Sequence, residues 1–132
     1  MKPKNILPYI LMGFFSFLAT IIFLRNNDLA PDFFDLFAHI PHYDKLGHFI
    51  LMGILAFLST ITIAPILPYK KIKSTLIVLG GVLLLIALEE YSQIFIANRT
   101  FSYADFACDL LGVVAFGWLG HFYVINLSPD NT

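Results

Sequence analysis

From Ser74 to Ile96 the chain reads STLIVLGGVLLLIALEEYSQIFI, with its only charges, Glu89 and Glu90, near the end. A helix needs about 20 residues to cross a hydrocarbon core, so this run is long enough to span a bilayer. Backbone amides in lipid must be satisfied within the segment, which selects a helix. Working outward, three further runs have the same character. Residues 46–64 are apolar up to Pro65 and Pro68, which discourage further helix. Residues 6–24 carry no charge, and a fourth run starts near Asp105 and fades near Leu127.

Composition agrees. Of the 132 residues, 58% are hydrophobic and 13% charged, with a mean hydropathy of +0.79. A soluble domain usually carries about a quarter charged residues, so the deficit selects the membrane class. The expected fold is an all-α, integral membrane four-helix bundle forming a single domain over 1–132. No repeat or low-complexity segment divides it. One cysteine, Cys108, excludes an intrachain disulfide framework and a cysteine-rich zinc site. The net charge of −1, without a basic face, gives no reason to expect nucleic acid as a partner.

The first run follows Lys2 and Lys4, as in a signal peptide. Its apolar region is too long, and Phe17-Leu18-Ala19 is a poor cleavage site, so a retained helix is expected. Lysine and arginine counts set the orientation. Lys2, Lys4, Lys70, Lys71 and Lys73 collect on one side. Arg25, Lys45 and Arg99 lie on the other, among Asp28, Asp32, Asp35 and Asp44. Both termini are therefore predicted to be cytoplasmic, in a multi-pass protein of the inner (cytoplasmic) membrane. In the first outer loop, residues 31–40 place Phe33, Phe34, Phe37 and Ile40 opposite Asp32, Asp35 and His39, between Pro31 and Pro41. This predicts a short interfacial helix, either covering a site or packing its phenylalanines on the bundle.

Topology places the polar residues at one depth. Asp44, Lys45 and His48 open the second span, with Asp44 and His48 on one face. Glu89, Glu90, Ser92 and Gln93 lie in the outer half of the third, with Glu90 on the order of 10 Å below the outer surface. Asn98, Arg99 and Ser102 occupy the loop, and Asp105, Cys108, Asp109 and Gly112 share a face of the fourth span. An acid mid-helix in lipid costs about 2.5–3.5 kcal/mol on insertion scales unless shallow or paired. Glu89, Glu90 and Asp109 must therefore face inward, with Lys45, His48 and Arg99 as the nearby cations. Gly112, Gly117 and Gly120, with Gly80 and Gly81, are expected to allow close helix approach. The cluster is either an ion-pair network fixing helix register or a functional site. His121 is expected near the inner end, apart from it.

These residues resemble the signature of the VanZ-like family, named for a glycopeptide-resistance accessory protein. Asp44-Lys45-Leu46-Gly47-His48 opens a helix, Glu90-Tyr91-Ser92-Gln93 follows, then Arg99-Thr100-Phe101-Ser102 and Asp105. The likeness covers 44–117. One departure is Asp109, where the family commonly has asparagine, so either any site here is more acidic or Asp109 is protonated. The resemblance implies a cell-envelope role linked to lowered teicoplanin susceptibility, without defining an activity.

Two functions stay open. In the first, a non-enzymatic envelope factor binds a membrane lipid head group or lipid-linked cell-wall precursor at the outer leaflet. Lys45 and Arg99 would hold phosphate and Gln93, Ser102 and Asp105 would orient polar groups. Asp44, His48, Glu90 and Asp109 complete the candidate ligand-binding set. In the second, a membrane enzyme acts on such a lipid with His48, Glu90 and Asp105 as candidate catalytic groups. A divalent metal on His48, Glu90 and Asp105 is chemically feasible, but no zinc motif, serine elbow or P-loop is present. No cofactor or metal is called for by motif. A transporter is disfavoured because the inner half lacks charges and four helices are few.

Overall fold

The computed structural model describes residues 5–97 and 99–127. The orientation signals Lys2 and Lys4, and the loop residue Asn98, lie outside that set. Five α-helices follow one another: α1 (Leu7–Asn26), α2 (Pro31–Asp35), α3 (Tyr43–Ile63), α4 (Lys71–Ser92) and α5 (Tyr103–Leu127). Short 3-10 turns at Ala64–Ile66 and Gln93–Phe95 extend α3 and α4. All but α2 are long and apolar enough to cross a membrane, so the protein is a multi-pass membrane bundle of four helices.

Local chemistry sets the boundaries. Asn5 accepts the Leu7 N–H at 3.2 Å and Pro8 sits in the first turn of α1, where a missing N–H costs nothing. At the other end Leu29 N bonds Leu24 O and Asp28 N bonds Arg25 O, with Asp28 at φ 52°. This is a Schellman stop with aspartate in the left-handed position more often held by glycine. α3 ends before Pro65, and Leu67 turns extended ahead of Pro68, as the prolines require.

The segment between α1 and α3 differs from expectation. α2 stops at Asp35 instead of running to Ile40. Beyond it Phe37 N bonds Phe34 O, Ala38 N bonds Asp35 O and Ile40 N bonds Phe37 O, all four-residue turns. Pro41 bars α geometry from the residue before it, and His42 then enters α3 at φ 55°. Phe33 still makes edge contacts with Phe34 and Phe37, so the aromatic group holds together without a continuous helix.

α3 is the central element, touching α1, α4 and α5, and its packing against α5 is the most extensive. Leu55 and Ala56 of α3, Leu79, Val82 and Ile86 of α4, Val113 of α5 and Leu18 of α1 form the core. Glycine makes the α3–α5 approach possible. A Cβ on Gly112 would collide with the Phe49 carbonyl, and one on Gly53 would lie 2.7 Å from the Phe116 ring. Gly117 abuts Leu79 and Gly120 abuts Thr60. Gly80 and Gly81 do not serve this purpose: nothing lies within 4 Å of a Cβ at either, because they face outward.

Candidate functional site

The start of α3, the end of α4 and the start of α5 bring their polar residues together. His48 is the hub. Its Nδ1 stands 2.9 Å from Asp109 Oδ1 and its Nε2 stands 3.9 Å from Asp105 Oδ2, so the ring bridges one turn of α5. Lys45, one turn earlier on α3, lies 3.6 Å from Asp105 Oδ1, an ion pair just beyond hydrogen-bond length. That oxygen is buried and accepts no hydrogen bond.

Glu90 enters from α4 and is 1% exposed, as is Asp109. The Ser102 backbone N–H donates to Glu90 Oε1 at 3.1 Å and Gln93 Nε2 donates to Oε2 at 3.2 Å. Gln93 also donates to Glu89, at 3.0 Å. Buried polar groups without partners are costly, so these contacts explain how the glutamate is tolerated at this depth. The end of α4 is thus tied to the start of α5 through one carboxylate.

Ser102 has a structural task. Its Oγ accepts the Asp105 N–H at 3.3 Å while its carbonyl accepts the Phe106 N–H at 3.1 Å, which makes it the N-cap of α5. Ser102→Ala is expected to lower thermal stability by about 1 kcal/mol, read from an unfolding midpoint in detergent. The backbone bond to Glu90 persists in that variant.

Beside the cluster, a cavity of about 440 Å³ opens between α1, the α2 loop and α3. Phe17, Ile21 and Ile22 of α1, Phe33, Phe34 and Phe37 of the loop, and Ile50 and Leu51 of α3 make its walls apolar. Arg25, Asp44, His48, Glu89 and Arg99 give it one polar end. Of the sequence-derived candidates, Asp44, His48 and Arg99 line this space. Lys45, Glu90, Gln93, Ser102, Asp105 and Asp109 stand in the network behind it.

Arg25 was missed by sequence reasoning, which treats the first helix as an apolar support. Its guanidinium lies 3.5 Å from Asp44 Oδ1 and 5.2 Å from the centroid of Phe34, joining α1, α2 and α3. The available signal was its place in the last turn of α1, level with Asp44. Arg99 makes no ion pair among the described residues, and Lys45 is taken by Asp105. The cations positioned at the cavity are therefore Arg25 and Arg99, not Lys45 and Arg99.

A second polar group lies toward the other end of the bundle. Thr75 Oγ1 and His121 Nδ1 are 2.8 Å apart, and Thr60 and Ser74 are fully buried at the same end. His121 also meets the Trp118 ring edge-on. This end of the bundle is therefore not purely apolar.

No family model, no curated protein and no solved structure matches the chain.

Proposed function

We propose that this protein is a VanZ-like envelope factor that binds a phosphate-bearing lipid, or a lipid-linked cell-wall precursor, at the outer leaflet of the cytoplasmic membrane. The observation that carries this reading is the cavity with apolar walls and an arginine-bearing mouth. Its volume falls within the range of about 300–1,000 Å³ usual for small-molecule sites. Acyl or prenyl carbons would contact the phenylalanine and isoleucine walls. The head group would reach Arg25 and Arg99, whose planar guanidinium groups suit paired hydrogen bonds to phosphate. Glu89 and Asp44 sit in the same mouth and favour head groups that carry a donor or amine beside the phosphate. Lysines at 70, 71 and 73 at the opposite end support the orientation with both termini inside.

Binding of undecaprenyl phosphate and of phosphatidylethanolamine to nanodisc or detergent preparations tests the reading by native mass spectrometry. Arg25→Ala with Arg99→Ala is expected to weaken retention of at least one of these lipids by tenfold or more. Retention equal to wild type in the folded double variant sinks it. A role in lowering teicoplanin susceptibility is expected to depend on the same two arginines.

A second reading, an enzyme acting on such a lipid, is favoured by one feature: His48 borders the cavity while contacting two aspartates. An imidazole so placed can exchange protons with a bound head group. Turnover of the lipid that disappears in His48→Ala, with binding intact, would select it over simple binding.

A further inference from the structure

We propose that His48, Glu90 and Asp109 form a binding site for one divalent transition-metal ion of the zinc class. This site lies behind the lipid cavity and does not depend on the lipid reading. One ligand atom from each of the three residues falls within a set whose members all lie within 4.8 Å of one another. Zinc binds nitrogen and carboxylate oxygen at about 2.0–2.2 Å, so ligand atoms of a closed site stand roughly 3.3 Å apart. Small side-chain rotations close that difference, and Asp109 Oδ1 is already 2.9 Å from the imidazole.

Charge gives the first reason to expect an ion. Around the mouth and the network, Asp44, Glu89, Glu90, Asp105 and Asp109 face Arg25, Lys45 and Arg99, leaving a shortfall of two positive charges when His48 is neutral. Glu90 and Asp109 are buried at membrane depth, where water and salt do little to offset the deficit. A divalent cation cancels it and leaves the imidazole neutral, the state in which it ligates.

The surroundings supply the second reason. Ligating histidines usually present their other ring nitrogen to a carboxylate. With Nδ1 on the ion, Nε2 faces Asp105 Oδ2 at 3.9 Å. Glu90 is oriented by Gln93 and by the Ser102 N–H, each using one lone pair of a different oxygen. Asp105 stays behind the imidazole, its Oδ1 held 3.6 Å from Lys45. A single imidazole with two carboxylates selects zinc, manganese or iron over calcium or magnesium, which prefer all-oxygen sites.

The test uses the full chain purified in detergent, stripped with chelator and titrated with Zn²⁺ or Mn²⁺, with Ca²⁺ as comparator. One equivalent of Zn²⁺ per chain is expected, with Ca²⁺ at least a hundredfold weaker. Glu90→Gln and Asp109→Asn are each expected to weaken Zn²⁺ at least tenfold, whereas Asp44→Asn leaves it within twofold. The wild-type stoichiometry shows whether an ion binds at all, and the contrast between Asp109→Asn and Asp44→Asn, each checked for folding, places it. Absence of a bound equivalent overturns the proposal and leaves protons as what balances the buried acids. Loss of binding in Asp44→Asn with retention in Asp109→Asn also overturns it, moving the ion to the outer group of Asp44, His48 and Asp105. Lipid retention by stripped protein, measured in parallel, reports on the cavity separately.

Discussion

Gly112→Ala is expected to destabilise the bundle by about 2–3 kcal/mol, the upper part of the range for overpacked interiors. Its added methyl would meet the Phe49 carbonyl and lie 3.2 Å from the Gly53 nitrogen. Both are main-chain atoms inside α3, so neither can swing aside as a side chain would. Relief requires α3 and α5 to separate over their whole crossing. That separation would pull His48 away from Asp109, one turn along α5 toward its N-terminus. Gly80→Ala is the matched control. Its methyl would enter open space, and alanine favours helix over glycine by up to about 1 kcal/mol, so stability should hold or rise. Unfolding in a graded detergent denaturant reads both. Equal midpoints for Gly112→Ala and wild type would remove the close α3–α5 contact from consideration.

His48→Leu carries the other large effect. In chelator-treated protein it leaves Asp109, 1% exposed, without its 2.9 Å partner. Breaking a buried pair from one side typically costs about 3–5 kcal/mol, because the remaining charge is stranded. Asp105 loses less, since Lys45 stays within 3.6 Å. Replacing both members relieves the stranded charge, so His48→Leu with Asp109→Leu is expected to be more stable than the sum of the two single losses predicts. A coupling above about 1 kcal/mol in that cycle is the expected outcome for residues in contact. Additive losses would mean that the imidazole and Asp109 do not pair.

Asp44, Lys45, His48, Glu90 and Asp105 were legible as one cluster because alternate helix directions bring their positions to the same depth. The pairing inside the cluster was not legible. Lys45 and Arg99 looked equivalent as cations, yet α5 presents Asp105 to Lys45 and leaves Arg99 at the cavity. Ser102 looked like a ligand group until its Oγ was seen to cap α5. Arg25 closes α1 level with Asp44, but only the return of the chain as α2 and α3 gives it Asp44 and Phe34 as partners. The end of α2 depends on Pro41 and on four-residue turns that a periodic pattern of phenylalanines conceals.

Sequence by itself determined the number of membrane helices, their approximate ends and which end of the bundle gathers the polar residues. Length, hydropathy and the fixed rise per residue are one-dimensional quantities, and they suffice for that. Only the tertiary structure decided how each helix is rotated about its axis. In water an apolar stripe against a polar face reports that rotation. In lipid both the buried and the outer faces are apolar, so the stripe vanishes and packing sets the choice. Gly112 and Gly80 show the consequence: both were read as contact residues, and one presses on the Phe49 carbonyl while the other faces outward.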